Sequence, residues 1–476
     1  MQKYKLTNES KIISKISTSK TQIFIRVYRI QALKDFADIR TGDYGGWVES
    51  EDNLSQEGTC WIYDNAMVYQ NAKVKNNAVV KDFAEVYGKA IICNYAEIRG
   101  SAQVYDSAIV ADRTMVFGNA MVYENAFLKE KCKVYGTAKV KGNTFVHNDS
   151  RIGQNAIIGP GNVIILHAVI TGKTTISGNV KIGKEETVII TENAIITDNV
   201  EISGNATIKG NSSICGNVKI GNAVVIEGHA LISENAYIGN KEKEYEKIII
   251  KDHVKIHGNA HIGANSTNIR LSDNVEIYGK ARIEGDTTAS ENVKIYDDAI
   301  IGNNIELYNN VKIYDEARLI ENVIVQENVK IYEQAIISNY SICGNAKIHG
   351  HVYIMGTLYG GHICDNVDIY GNVSIEGFVN ISGNAKILDN VVLRNKVNIT
   401  GNVFIFGNAE IEKNAIIEDN VWIFDNAIVR GHVYENSKVY GDSKIAEETK
   451  IHEYAEVRGK ADISPFQELK GHQKVG

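Results

Sequence analysis

The sequence predicts an all-β fold, a single-stranded parallel β-helix built from triangular coils of about eighteen residues. An aliphatic residue occupies every sixth position from Ile62 to Ile182. Larger pieces recur at eighteen residues, since the tetrapeptide Val293–Tyr296 returns at Val311–Tyr314 and at Val329–Tyr332. The period of six therefore sets the strand, and the period of eighteen sets the coil.

Each six-residue unit usually places a small residue two positions before the aliphatic one. Ala72 and Val74 are an example, and an extended segment points both side chains at one face, the core. Gly and Asn between units accept positive φ and allow the bend before the next strand. Stacked coils then pair their strands at about 4.8 Å. Tyrosines eighteen apart are expected to form a vertical ladder on an outer face: Tyr69, Tyr87, Tyr105 and Tyr123.

The composition fits one long repeat rather than several globular domains. The 476 residues are enough for about 22 coils. Two prolines suit continuous ladders that need every backbone N–H. A net charge of −7 gives no support for binding to nucleic acid or to an anionic membrane. No signal-peptide core and no apolar run of membrane-spanning length is present, so we expect a cytoplasmic protein.

The cysteines are interpreted as structural thiols. Their spacing matches neither a metal site nor a disulfide framework, so we expect no metal. The six are Cys60, Cys93, Cys132, Cys215, Cys343 and Cys364.

Three segments are predicted along the chain. Residues 1–58 form a β-hairpin cap, because Thr21–Leu33 alternates and is rich in β-branched and aromatic residues, and residues 5–16 supply a partner strand. This cap covers the open edge of the first coil. Residues 59–464 form the solenoid. Residues 465–476 form a C-terminal tail or cap, since Pro465–Leu469 leaves the repeat.

The repeat is interrupted at a few places, and loops on a rigid scaffold often carry function. Extra residues enter after Ile182, after Ile262 and after Ile354. One whole unit is replaced by the charged octet Asn240–Lys247, which should arch outward. Tolerated insertions without chemistry are the alternative interpretation of all four.

The N-terminal segment contains short sequence motifs that divergence of the hexapeptide repeat would not generate. They are Lys3–Leu6, Asp35–Ile39, Gly45–Val48, Asn53–Gly58 and Cys60–Asp64. These motifs resemble the opening of the YdcK family of hexapeptide-repeat acetyltransferases. The resemblance implies a left-handed β-helix and an acyltransferase-like activity, with no catalytic motif that carries over to numbered positions.

Hexapeptide acyltransferases typically use a His as general base, and one His group is better placed than the others. His253, His257 and His261 lie near the charged octet, and coil arithmetic puts His257 above Gly239 and His261 above Lys243. By phase His257 and His261 project outward, which makes them the catalytic candidates. The alternative is that outward positions of a solenoid accept any polar residue.

A Lys-Ile-Tyr stripe supplies the ligand-binding candidates. They are Lys294, Tyr296, Lys312, Tyr314, Lys330 and Tyr332. Stacked ammonium groups and aromatic rings suit a ligand with anionic groups and an apolar face, such as a nucleotide, an acyl carrier or an acidic sugar. The alternative is a recent duplication in which Asp297, Asp315 and Glu333 neutralise the lysines.

Two function hypotheses follow. The first is acyl-CoA-dependent transfer to a hydroxyl or an amine, which requires no cofactor beyond the acyl-CoA co-substrate. The second is a non-catalytic β-solenoid scaffold that binds a protein partner, of prophage or host-interaction type. Helix is scarce in the sequence, so the trimeric packing of hexapeptide acyltransferases is in doubt and the oligomeric state is left open.

Overall fold

The structure, a computed structural model, confirms the predicted fold class. It is an all-β, left-handed β-solenoid of about 23 parallel turns. It describes residues 2–16, 21–240, 246–263, 268–357 and 360–476. By internal contacts the chain divides into two compact units, Met1–Glu234 and Asn235–Gly476.

The predicted alternation of inward and outward side chains is present in both units. In the first unit Ala66 and Val68 are fully buried, and Met67 between them is partly exposed. In the second unit Val311 and Ile313 are fully buried, and Lys312 between them is partly exposed. In each unit, every coil therefore contributes a pair of apolar side chains per strand to the core.

Two residue positions shape each corner. Positive φ is adopted by the second residue after the core aliphatic, which is Gly at Gly88 (φ 72°) and an acid at Asp82 (φ 61°). The Asn that precedes the next small residue instead donates Nδ2–H to the Oδ1 of its equivalent in the next coil. The longest such ladder comprises Asn274, Asn292, Asn310, Asn328, Asn345, Asn366, Asn384, Asn402, Asn420 and Asn436.

The first unit opens with the predicted hairpin. Strand β1 (Tyr4–Ile16) pairs antiparallel with β2 (Gln22–Ala32), and β2 pairs antiparallel with β3 (Tyr44–Val48). Strand β3 then pairs parallel with Met67–Val68 of the first coils. A single 3-10 turn, Glu51–Asn53, follows, and the Asn53 amide donates to the carbonyls of Gln70 (2.8 Å) and Ala72 (3.0 Å). The hairpin segment thus closes the open edge of the coils.

The predicted tyrosine ladder of the first unit is present. The rings of Tyr69, Tyr87, Tyr105 and Tyr123 stack at centroid distances of 5.2, 4.8 and 4.8 Å. Its expected place on an outer face is wrong for Tyr69, which is fully buried with Ile25, Val27 and Trp47. The hairpin covers the side of the first coils as well as their end.

Short strands form the three faces of the coils in the first unit. The first row consists of Met67–Val68, Glu85–Val86, Gln103–Val104, Met121–Val122, Lys139–Val140, Ile157–Gly161, Thr175–Gly178, Ile195–Ile196, Ser213–Ile214 and Leu231–Ile232. The second consists of Lys73–Val74, Ile91–Ile92, Ile109–Val110, Phe127–Leu128, Phe145–His147, Ile164–Leu166, Lys181–Ile182, Glu201–Ile202 and Lys219–Ile220. The third consists of Trp61–Ile62, Val79–Val80, Glu97–Ile98, Met115–Val116, Lys133–Val134, Arg151–Ile152, Ala168–Ile170, Val188–Ile190, Thr207–Ile208 and Val224–Ile226.

The second unit has the same three rows, and four of its strands continue round a corner from the second row into the third. The first row consists of Lys255–Ile256, Glu276–Ile277, Lys294–Ile295, Lys312–Ile313, Lys330–Ile331, Lys347–Ile348, Asp368–Ile369, Lys386–Ile387, Phe404–Ile405, Trp422–Ile423, Lys438–Val439, Glu456–Val457 and Lys474–Val475. The second consists of Tyr237–Ile238, His261–Ile262, Arg282–Ile283, Ile300–Asn309, Arg318–Glu327, Ile336–Ser338, Tyr353–Met355, Ser374–Ile381, Val392–Gly401, Glu410–Glu412, Ile428–Val429, Lys444–Ile445 and Asp462–Ile463. The third adds Ile248–Ile250, Ile269–Leu271, Thr287–Ala289, Tyr340–Ile342, Gly361–Ile363, Ile416–Asp419, His432–Val433, Lys450–Ile451 and Glu468–Leu469.

Two details of the sequence interpretation are corrected by the register. Ile165 rather than Ile164 is buried. The segment that follows Ile158 is one residue longer than six, and the segment that leads to Ile170 is one residue shorter. The expected C-terminal tail or cap is also wrong, since Glu468–Leu469 and Lys474–Val475 pair parallel with the preceding coil. Phe466 is 82% exposed and occupies a corner.

The expectation of free structural thiols fails for one pair. Cys343 and Cys364 form a disulfide, with Cα atoms 4.5 Å apart. The two are 21 residues apart because the segment after Ile354 adds three residues to that coil, so both occupy the same outward position on adjacent coils. Cys60, Cys93, Cys132 and Cys215 are free thiols.

Candidate functional site

All the site residues predicted from sequence lie in the second unit, but the two histidines are not brought together. His257 follows the first-row strand Lys255–Ile256, whereas His261 opens the second-row strand His261–Ile262. Both are partly exposed and alternate with buried residues, as their phase predicts.

His257 is joined to the predicted Lys-Ile-Tyr stripe by ring stacking. Its imidazole lies parallel to the Tyr278 ring, with centroids 5.0 Å apart. Rings continue down the face at 4.5–5.1 Å, and we call this set the aromatic ladder: His257, Tyr278, Tyr296, Tyr314, Tyr332, His349 and Tyr370. One catalytic candidate and three ligand-binding candidates therefore share one continuous surface.

Glu276 connects His257 to the first lysine of the stripe. Its Oε1 lies 3.7 Å from His257 Nε2, and its Oε2 lies 2.6 Å from Lys294 Nζ. The hydrogen bond from Lys294 lowers the pKa of Glu276, and the same bond raises the pKa of Lys294. Lys294 is thus neutralised by a residue from the preceding coil.

The next three lysines are different, and we call Lys312, Lys330 and Lys347 the lysine row. They are register partners on successive coils. Within the part of the chain that the structure describes, none of the three ammonium groups has an ion pair within 4.0 Å. Neither Asp315 nor Glu333 forms the expected ion pair with the row. Asp315 instead accepts the backbone N–H of Glu333 at 3.1 Å, and Glu333 Oε2 lies 3.9 Å from His349 Nδ1.

The tyrosines of the ladder show their edges rather than their faces to solvent. Interplanar angles of 1–2° over centroid distances of 4.8 Å leave each ring covered by its neighbours. Desolvation by this packing raises the pKa of Tyr296 and of Tyr332 to about 12. The hydroxyls are therefore neutral donors and acceptors at physiological pH.

His261 lies in an open groove on the second row. Its ring stacks on Tyr237 at 4.6 Å, and its Cα register partner is also Tyr237 rather than Lys243. The predicted register is wrong because the coil between Tyr237 and His261 has 24 residues instead of eighteen. Residues 241–245 of this coil lie outside the described residues. The groove, about 720 Å³, is lined by Asn259, His261, Lys280, Arg282, Asp298, Ile300, Glu316 and Arg318. Lys280 and Arg282 are neutralised by Asp298 (3.6 Å) and Glu284 (2.7 Å).

A third candidate site, which the sequence analysis did not predict, is created by a short coil. Ile417 pairs with Val433, only sixteen residues later, because Val429 and Val433 are four positions apart instead of six. Gly431 makes this corner, and a Cβ there would lie 2.6 Å from the carbonyl oxygen of Thr449. The missing residues leave a cavity of about 280 Å³, the notch, lined by Lys413, Asn414, Ile416, Arg430, Gly431, His432, Glu447, Glu448, Thr449 and Lys450.

His432, one of the residues that line the notch, is paired with a carboxylate. His432 Nε2 lies 2.9 Å from Glu418 Oε2, and the His432 side chain is 30% exposed. Arg430 donates Nε–H to Glu412 Oε1 at 2.8 Å, and its Nη2 atom lies 2.7 Å from the same oxygen. Lys450 lines the notch without an ion pair to any described residue within 4.0 Å.

A second pair of the same kind lies on the next coil. His452 Nε2 is 3.0 Å from Glu468 Oε1, and this side chain is only 11% exposed. His452 is not among the residues that line the notch. The signal for the notch was readable in the sequence, as the contraction between Val429 and Val433, whereas the His432–Glu418 contact depends on the register between two coils.

Two other kinds of site are absent from the described ranges. No group of three or more His, Cys, Asp or Glu residues is placed to hold a metal ion. No helix reaches the length and apolarity needed to cross a membrane.

Comparison with known proteins supports the resemblance drawn from the N-terminal motifs. The chain is 35% identical over 91 residues to a protein of Escherichia coli K12 described as "Uncharacterized acetyltransferase YdcK". The match spans 19% of this chain and only 27% of that relative. No family model matches the chain. The chain is thus a β-solenoid repeat protein with partial similarity to a protein described as an acetyltransferase.

Proposed function

We propose that the protein transfers an acyl group from an acyl-CoA donor to a hydroxyl or an amine, and that the reaction takes place in the notch. The observation that carries this proposal is that His432, which lines the notch, holds its Nε2 atom 2.9 Å from Glu418 Oε2. A His held by a carboxylate within reach of bound substrate is the arrangement that general-base catalysis requires.

The chemistry assigns one role to each partner. Nε2–H of His432 donates to Glu418, and this tautomer leaves Nδ1 to accept a proton. Nδ1 takes the proton of the acceptor hydroxyl or amine as that group attacks the thioester carbonyl. The C–S bond then breaks, and the proton passes to the thiolate of CoA. Glu418 orients the ring and stabilises the imidazolium that forms between the two steps.

The size and charge of the notch suit the reacting end of the donor. About 280 Å³ accommodates an acyl thioester and a small acceptor group, not a whole nucleotide. The phosphates of the donor would lie outside, where Lys450 offers an ammonium group at the rim. An acyl-CoA donor is made in the cytoplasm, and we propose that compartment for the protein.

His257 and His261 are less suitable as the base. Glu276 Oε1 lies 3.7 Å from His257 Nε2, and Glu276 is bound more closely by Lys294, at 2.6 Å. His261 lies in an open groove whose basic side chains are largely neutralised. The similarity to the E. coli protein supports acyl transfer as a class and does not choose among the three histidines.

The binding half of this proposal is tested by melting the full chain with acetyl-CoA. Saturating donor should raise Tm, since a ligand at about 100 times its Kd adds ~2.7 kcal/mol to the free energy of unfolding. Lys450→Gln should reduce the shift, and Lys444→Gln is the matched control, because Lys444 is an equally exposed strand residue of the same coil outside the notch. No shift with millimolar donor would rule out the proposal.

A non-catalytic binding protein is the second candidate function. The observation that favours it is the lysine row, whose charges no described residue neutralises.

A further inference from the structure

We propose that the lysine row and the aromatic ladder together bind an acidic polysaccharide that carries one carboxylate per sugar. This surface lies on the first-row strands of the second unit, whereas the notch lies at a corner between second-row and third-row strands. The inference is therefore independent of acyl transfer.

The spacing of the cations is the first reason. Lys312, Lys330 and Lys347 are Cα partners on adjacent strands, which repeat at about 4.8 Å. An extended glycan advances by a similar distance per sugar, so successive carboxylates can meet successive ammonium groups. Such pairs also relieve the mutual repulsion of three like charges on neighbouring rungs.

The ends of the row give it a defined length. On one side Lys294 is occupied by Glu276 at 2.6 Å. On the other side the row reaches Asp368, whose Oδ1 lies 3.4 Å from His349 Nε2. Three available cations are thus bounded by a neutralised lysine and by an acid, which favours a short stretch of polymer over an indefinite one.

The ladder beside the row suits sugars better than nucleobases. Tyr296, Tyr314 and Tyr332 present ring edges and hydroxyls, because their faces are stacked on one another at 4.8 Å. No hydrogen bond joins these three hydroxyls to other residues in the described ranges. Sugar hydroxyls can pair with such a column of phenols, whereas single-stranded nucleic acid binds by stacking bases on open aromatic faces. The chain's net charge of −7 also disfavours a nucleic acid.

The experiment measures binding of the full chain to polygalacturonate, with dextran as the neutral polymer and poly(dT) as the nucleic acid. We expect binding to polygalacturonate that weakens as salt rises, and none to dextran. The triple variant Lys312→Gln, Lys330→Gln, Lys347→Gln should bind about ten-fold more weakly. Each exposed ion pair between a lysine and a carboxylate changes Kd by less than tenfold, and three such pairs are lost.

A matched control removes three charges elsewhere on the same unit. Lys396→Gln, Lys444→Gln, Lys460→Gln takes away exposed lysines that do not lie in the row, and this variant should bind like the parent. Equal losses in the two triple variants would overturn the proposal, as would tighter binding of poly(dT) or no binding of polygalacturonate. The acetyl-CoA melting shift should survive in both variants, so that the two proposals can fail separately.

Discussion

Lys413 Nζ lies 3.7 Å from Glu447 Oε1, across a coil that is two residues short. Lys413 belongs to the corner one coil before the short coil, Glu447 belongs to the corner one coil after it, and both line the notch. A uniform solenoid has no such depression, because each corner is covered by the next. The shortened coil leaves His432 on the wall of the notch, where its Nε2 atom contacts Glu418, and residues of the two flanking corners line the notch beside it.

The ring stack should contribute measurably to stability. Tyr314→Ala removes contacts with Tyr296 and Tyr332, and aromatic pairs of this kind are worth ~0.5–1.5 kcal/mol each. We expect a loss of about 1–3 kcal/mol in the free energy of unfolding, measured by urea denaturation. Tyr314→Phe keeps the stack and should remain close to the parent. An equal loss in Phe and Ala variants would mean that the hydroxyl, not the stacking, stabilises the ladder.

Alkali should destabilise the fold through the same rings. Folding raises the pKa of Tyr296 and Tyr332 from 10.0 to about 12. Their contribution is therefore complete below pH 10 and is lost as pH rises towards 12, because the unfolded chain ionises first. Urea midpoints measured across that range should fall, and tyrosinate absorbance should appear late. Combining Tyr296→Phe with Tyr332→Phe should reduce the fall, and an unchanged fall would contradict this origin.

The inward and outward phases can be tested at adjacent positions. Ile313→Asp buries a charge without a partner between coils and should cost several kcal/mol. Lys312→Asp changes a partly exposed side chain and should stay within ~0.5 kcal/mol of the parent. Melting curves of the two variants give the comparison. Similar losses would mean that the phase assignment is wrong.

The proposed cytoplasmic location has its own test. The structure joins Cys343 and Cys364 in a disulfide. Disulfides are rare in the cytoplasm, so the proposed location requires that this bond is reduced to two thiols in the cell. Cells are lysed into a thiol-blocking reagent, and the mass of the peptides that contain Cys343 and Cys364 is measured. Two blocked thiols are expected. A pair that resists blocking until it is reduced would argue for an oxidising compartment.

Local periodicity was enough to predict much of the fold. The period of two around Ile313 fixes which side chains face the core, and the period of eighteen fixes which tyrosines stack. Both depend only on spacing within a coil of constant length. The hairpin of β1 and β2 was also readable, as two alternating segments separated by a turn.

Contacts that depend on coil length or on distant segments were not predictable in the same way. The burial of Tyr69 follows from where the hairpin folds back, which no repeat encodes. The partner of His261 is Tyr237 because that coil is six residues longer than eighteen, and the spacing of the repeat does not reveal a longer coil in which the frame is kept. The Cys343–Cys364 pair and the His432–Glu418 pair each require the altered length of one particular coil.

The most direct test of the account is acyl transfer by a His432→Asn variant. Release of CoA from acetyl-CoA is followed with a panel of hydroxyl and amine acceptors, for the parent, for His432→Asn and for His452→Asn. The second variant is the matched control, because His452 makes the same kind of contact with Glu468 at 3.0 Å outside the notch. We expect a loss of about 10²–10⁴-fold in kcat for His432→Asn, the usual contribution of a general base, and parent-like activity for His452→Asn. Transfer that is unchanged by His432→Asn, or lost equally in both variants, would contradict the assignment of the reaction to the notch.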